Sequence, residues 1–375
     1  MAPERSKTAL ILAGGGIMGA SYEIGCLTAM ERLFAPGFSV RRFDIYIGVS
    51  AGSVIATLVA NRIAPAALFE AIAHNRRQVF NFQRSDIYRM DYGQVFLAWW
   101  RATRELFSIF RGYRRRRWRF FSADLVHILQ EQFPAGLFSL EPLQGYLCRA
   151  FREERIRDAF DQIRPELYIP AVDLDRGERV VFGEEGQRDL HICQAITASC
   201  AIPAFFRPYR IGERHFVDGS VGQVAHVDIA IAHGARLIIV VNPLVPMLND
   251  PSHACLPSLS YGRCSSIAEL GMSYVWGQAQ RIEDRFKLAL SLELLRRNHP
   301  DVDILLIEPE PTESLFFLQN PMSFEARCQV MTHSYYLTLA HLKGQYKQMQ
   351  AVLDRHGIAC TSDALDLPPP GRQTG

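Results

Sequence analysis

Residues 48–53 read Gly-Val-Ser-Ala-Gly-Ser, a serine held between two glycines. When such a G-x-S-x-G turn joins a strand to a helix, the serine sits on a sharp bend with its hydroxyl facing out. A serine hydroxyl is a weak nucleophile at neutral pH, so the chemistry needs a positioned base and a place for the charge that attack creates. The segment "LILAGGGIMG", residues 10–19, answers the second need. Glycine turns aim bare backbone N–H groups at one point, and the helix that starts there adds a dipole favourable to an anion. We therefore assign Gly14, Gly15, Gly16, Gly19 and Ala51 to an oxyanion hole, with Gly15 and Gly16 as leading donors, and Gly48 and Gly52 to the nucleophile elbow around Ser50.

The same glycines also fit the dinucleotide fingerprint Gly14-x-Gly16-x-x-Gly19. That reading requires an acidic residue ending the second strand, where it would hold the ribose hydroxyls. Asp44 precedes the second strand, and the Ser50 turn ends it, so a nucleotide cofactor is not expected.

A base for Ser50 is offered by "HFVDGSVG", residues 215–222, in which Asp218 follows an apolar trio and precedes Gly219. A carboxylate presented from a sharp turn can take a proton directly, without an imidazole between. None of the eleven histidines stands in an obvious loop motif after a strand. His226 is a possible third group, set against the commoner role of a solvated residue at a helix start.

These motifs need elements to carry them. "TALILA" at 8–13 predicts a buried strand, and residues 19–34 repeat apolar side chains every three or four positions, as a helix does. "FDIYIGVSAGSVIATLVANRI" repeats strand, turn and helix. Further strands are predicted at "LYIPAVDL", "RVVFG", "RLIIVVNPL" and "VDILLIEP", with helices at 189–199, 226–234, 265–298 and 323–355. Alternating strands and helices predict an α/β fold with a mostly parallel sheet covered by helices.

Together the motifs resemble the patatin-like phospholipase family: the loop at 14–19, "GVSAGS", "ASCAIP" at 198–203 and "DGS" at 218–220 occur in the family's order over roughly residues 8–242. The resemblance implies a three-layer fold and an acyl hydrolase with a Ser50–Asp218 dyad and neither metal nor organic cofactor. It implies phospholipids or other acyl-ester lipids as substrates. Phe205 and Phe206, after "ASCAIP", become candidates for an acyl pocket. Met18 stands where the family usually has Arg or Lys, and Gln223, Val224 and His226 replace its usual asparagine and prolines. An acyltransferase with the same dyad and a catalytically silent lipid-binding protein are the rival expectations.

The 375 residues are 48% hydrophobic and carry a formal charge of +2, so the chain can fill a large core and gives no global reason to expect nucleic acid. Domain boundaries are expected at 8–310 for the hydrolase domain, 311–360 for a C-terminal helical extension and 361–375 for a disordered tail. The eight cysteines show no C-x-x-C spacing and read as reduced. The run from Ala9 to Ala13 is too short for a signal peptide, and no stretch approaches a spanning helix, so a cytoplasmic protein with peripheral membrane contact is expected. That contact is placed in the insertion at 84–121. Residues 95–121 hold eight arginines against Glu105, with aromatic residues on the opposite side of a helical wheel. Trp99, Trp100, Arg114, Arg115, Arg116, Arg117 and Trp118 are the expected contacts to an anionic lipid surface, against the plainer reading of a helix that covers its own core. The sequence does not set an oligomeric state.

Overall fold

A computed structural model describes residues 5–76, 134–250, 264–313 and 323–370, with residue 252 and separate positions between 86 and 111. Its main sheet has eight strands: β1 (Thr8–Leu12), β2 (Ile45–Gly48), β5 (Glu166–Asp173), β6 (Glu178–Phe182), β8 (Tyr209–Ile211), β9 (Arg214–Val217), β10 (Leu237–Val241) and β11 (Asp303–Ile307). They run in the order β11-β10-β1-β2-β5-β9-β8, with β6 paired to β5 off that path. The pairs from β11 to β5 are parallel, and β6, β8 and β9 join antiparallel. A smaller sheet joins β3 (Arg89–Met90), β4 (Gly136–Ser139) and β7 (Ala204–Phe206).

The central parallel strands β1, β2 and β10 are almost wholly apolar because both of their faces are buried. Along β1, Leu10 and Leu12 enter one core cluster while Ala9 and Ile11 enter the other. The first cluster packs against α1 (Gly16–Met30), α2 (Ala51–Ala60), α3 (Pro65–Ala73), α4 (Glu141–Glu153), α5 (Ile192–Ser199), α8 (Phe324–Gly344) and α9 (Tyr346–Arg355). The second packs against α6 (Val227–Ala232) and α7 (Met272–Asn298). The result is the expected α/β architecture, helices on both faces of a mostly parallel sheet.

Register decides where the chemistry sits. Leu12 lies opposite Gly48 on one side and Val241 on the other, so the turns after β1, β2 and β10 leave the sheet together. Asp218 reaches the same edge from β9, whose Val217 pairs with Val172 of β5. Behind the first turn, α1 is clamped by α8: a methyl group on Gly25 would meet the Ser334 hydroxyl at 2.0 Å and the Met331 carbonyl at 2.3 Å.

The cysteine expectation is corrected here. Cys148 on α4 and Cys193 on α5 form a disulfide with Cα atoms 5.3 Å apart, and Cys264 is also disulfide-bonded. The 45-residue separation carries no motif, because the packing of α4 against α5 brings the two together. Disulfides persist in oxidising surroundings, so the cysteines no longer argue for a reducing compartment. Within the stretch expected to be a loose tail, Leu365 is buried and Tyr335 donates to the Leu367 carbonyl at 2.9 Å. Among the described residues no helix is long and apolar enough to cross a membrane.

Candidate active site

Ser50 occupies φ 51°, ψ −130° at the start of α2, a conformation rare for any residue with a side chain. Such strain costs about 1–3 kcal/mol and persists only where the surroundings over-determine it. Here the surroundings are close-packed. A Cβ on Gly48 would lie 2.4 Å from Ser53 Cα, and one on Gly52 would lie 2.6 Å from the Leu12 carbonyl. The Ser50 N–H donates to the Ser199 hydroxyl at 2.9 Å, which ties the elbow to the end of α5.

From that elbow the Ser50 hydroxyl donates to Asp218 Oδ2 at 2.6 Å. Both residues are buried. The other carboxylate oxygen, Oδ1, accepts from the Ser220 N–H at 2.9 Å and the Ser220 hydroxyl at 2.7 Å, so the carboxylate is aimed from behind. Burial raises the Asp218 pKa, and hydrogen bonds from Ser50 and Ser220 oppose that rise. Raising a carboxylate's pKa makes it a better proton acceptor while leaving it a carboxylate above its own pKa.

The glycine loop divides its amides between structure and solvent. The Gly14 N–H donates to Glu23 Oε1 at 3.0 Å, and the Gly19 N–H to the Gly15 carbonyl at 3.1 Å. Gly14 and Gly19 therefore shape the loop rather than donate from it, because their hydrogens are already committed. Gly19 instead lets α1 pass close, since a Cβ there would meet the Gly14 carbonyl at 2.2 Å. Among the described residues nothing accepts from the N–H groups of Gly15, Gly16 and Ala51. Gly15 at φ 101° and Gly16 at φ 67° take backbone conformations that only glycine adopts readily.

Sequence reasoning missed Glu23, whose fully buried carboxyl lies under this loop. Burial raises its pKa well above the usual value, against the lowering effect of the Gly14 N–H, and Oε2 has no partner among the described residues. The only signal was an acidic residue at an inward helical position. His226 stands at the start of α6, as the sequence predicts. It is buried, not solvated; its Nε2 lies 2.8 Å from the Gly219 carbonyl and its Nδ1 3.2 Å from Arg179. Burial pushes its pKa down to about 4, so it is a neutral ring that braces the turn carrying Asp218. Among the described residues its hydrogen bonds run to Gly219 and Arg179 and not to Ser50. The Cys200 thiol lies beside Ser50 and Ser53, and burial raises its pKa, which keeps it neutral.

Other expected site residues fall at varying distances from this centre. Met18 is buried in the core rather than presented at the loop. Phe206 is buried, whereas Phe205 is 41% exposed and rests on Phe138 with ring centroids 4.8 Å apart. Trp99 and Trp100 are 64% and 50% exposed, and the Arg104 guanidinium lies 5.5 Å from the Trp100 ring centre. Arg114, Arg115, Arg116, Arg117 and Trp118 lie outside the described residues.

The family model described as patatin-like phospholipase matches residues 10–231. The chain is 22% identical over 231 residues to the probable lipid hydrolase 463L of Invertebrate iridescent virus 6, a match covering 62% of this chain and 65% of that protein. The chain thus spans just under two thirds of the length of that relative. Among solved structures, VipD from Legionella pneumophila aligns with a TM-score of 0.34 and 14% identity, covering 91% of this chain and 67% of that one.

Proposed function

This chain belongs to the patatin-like phospholipase family, and from that premise we propose that it is a serine acyl hydrolase of phospholipase A or lysophospholipase type, acting on membrane lipids through Ser50 and Asp218. The observation that carries the reading is the 2.6 Å hydrogen bond from a strained, buried serine to a buried carboxylate. Asp218 takes the hydroxyl proton as Ser50 Oγ bonds to the ester carbonyl carbon. The carbonyl oxygen becomes an oxyanion held by the N–H groups of Gly15, Gly16 and Ala51, worth about 3–4 kcal/mol for each well-placed donor. Collapse breaks the ester C–O bond, and Asp218 returns its proton to the leaving alcohol. Water then attacks the acyl-enzyme, loses a proton to Asp218 and frees the fatty acid, after which Ser50 recovers its proton. No metal or organic cofactor enters these steps.

The acyl chain would pass along Phe205, and exposed Trp99 and Trp100 with the neighbouring arginines would rest on an anionic lipid surface, so the protein would work peripherally on membranes. The hydrolase domain would comprise residues 8–310, with residues 311–360 as a helical extension that steadies α1. The test is fatty-acid release from mixed phospholipid vesicles by wild type, Ser50→Ala and Asp218→Asn, with all lipid products identified. Free fatty acid lost in both variants supports hydrolysis. Acylated acceptor lipid in its place would reassign the reaction to acyl transfer, and no product from wild type would count against an enzyme.

A further inference from the structure

The opposite end of the sheet carries a second site. A cleft of about 1010 Å³ opens where the chain enters β1, β2 and β5. Since β1 is five residues long, its two ends lie about 13 Å apart, with the Ser50 turn at the far one. Arg5, Lys7, Arg41, Arg42, Arg62 and Arg164 line the cleft against only two carboxylates, Asp44 and Glu166, a local charge of +4 in a chain whose total is +2.

The two carboxylates are already engaged. Asp44 pairs with Arg5 and accepts from the Thr8 N–H at 2.9 Å, and Glu166 pairs with Lys7 at 2.5 Å. The remaining guanidiniums are not neutralised in the same way. Arg42 donates to the Gly37 carbonyl at 2.7 Å and Arg62 to the Arg41 carbonyl, contacts that cancel no formal charge. Arg41 has its carboxylate, Glu31, at 3.8 Å, and Glu31 is also held by Ser39 and the Val40 N–H. Arg164 has no ion pair or hydrogen bond among the described residues. Guanidiniums carry forked donors that match phosphate oxygens two at a time. One phosphate would leave about half of this charge uncompensated at neutral pH.

We propose that this cleft binds an oligophosphorylated ligand, either a soluble small molecule or a phosphate-bearing lipid headgroup, gripped by Arg42, Arg62 and Arg164. The site is separate from the acyl-hydrolase centre, and its occupancy does not depend on turnover.

Two titrations of the full-length protein test this. Inorganic tripolyphosphate is titrated calorimetrically, and sedimentation is measured with phosphatidylcholine vesicles with and without a phosphatidylinositol bisphosphate. Both are repeated with the Arg62→Glu/Arg164→Glu double variant and with Arg149→Glu/Arg152→Glu on α4, which makes the same charge change away from the cleft. The wild type should bind at least one probe saturably. The cleft variant should bind it at least about tenfold more weakly, a shift of about 1.4 kcal/mol, while the α4 variant keeps its affinity. Tripolyphosphate binding without sedimentation marks a soluble ligand, and sedimentation that depends on the bisphosphorylated lipid marks a headgroup. Thermal unfolding midpoints like that of wild type establish that both variants are folded; if the double variant unfolds, Arg164→Gln replaces it with the same expected direction. Wild type that binds neither probe, or equal loss in the cleft and α4 variants, overturns the proposal.

Discussion

The turns after β1 and β2 leave neighbouring strands at one level, and both are rich in glycine, yet their glycines answer different demands. After β2, Gly48 and Gly52 are present because side chains there would strike backbone at 2.4 and 2.6 Å, and the space they vacate lets a strained Ser50 present its hydroxyl. After β1 the space is less uniform. Gly14 and Gly19 are needed for close approach, with a Cβ meeting Val49 O at 2.5 Å and Gly14 O at 2.2 Å, whereas Gly16 has nothing within 4 Å and is needed only for its φ of +67°. One turn makes room for a side chain. The other exposes backbone. The comparison teaches that a glycine motif reports a crowded or left-handed backbone, and that the local partners decide which amides remain free for chemistry.

The contrast can be broken most forcefully at the hydroxyl. Ser50→Ala should lower lipid hydrolysis by at least about 10⁴-fold, and Asp218→Asn by about 10²–10⁴-fold, without loss of fold. Vesicle assays beside circular dichroism check both. Next come the crowded glycines: Gly14→Ala and Gly48→Ala each force backbone to move and should destabilise by about 1–3 kcal/mol, read from urea midpoints.

Acid offers a test of the brace behind Asp218. The His226 pKa is pushed down to about 4 in the folded state from an ordinary 6.5. Its contribution is complete above pH 6.5 and is lost as pH falls towards 4, about 3 kcal/mol across that window. His226→Asn should flatten this acid limb relative to wild type.

Glu23 has the opposite sign. Its folded pKa is raised well above 4.5, so from pH 4.5 upward wild type loses about 1.4 kcal/mol per pH unit until the folded pKa is passed. Glu23→Gln keeps an acceptor for Gly14 and removes the titration, so the variant should gain on wild type as pH rises. Paired thermal melts from pH 4 to 8 would show whether the gap widens. The smallest effect belongs to Gly16→Ala, which meets no atom and should cost about 1–2 kcal/mol through φ alone. A larger loss of activity than of stability there would mark the Gly16 amide as a donor.

Local features made much of this legible. Runs such as "TALIL" and "RLIIVV" are apolar and too short for a buried helix, which fits strands buried on both sides, and a serine between glycines at a strand's end has few conformations open to it. The Ser50 and Asp218 side chains, 168 residues apart, could be paired in advance because each sat in its own recognisable turn. What stayed hidden depends on partners remote in the chain or on helix rotation. Glu23 shows nothing of its burial until α1 is rotated onto the sheet. Cys148 and Cys193 have no spacing signal because α4 and α5 meet only in the folded chain. His226 does stand at a helix start, before α6, and only the turn at Gly219 accounts for its burial.

The most direct test of the central claim is to react wild type, Ser50→Ala and Asp218→Asn with a fluorophosphonate and locate the adduct by peptide mass spectrometry. The account predicts a single adduct on Ser50 in wild type, none in Ser50→Ala, and a markedly slower reaction in folded Asp218→Asn. An adduct on another residue, or a full-rate reaction without the Asp218 carboxylate, would contradict it.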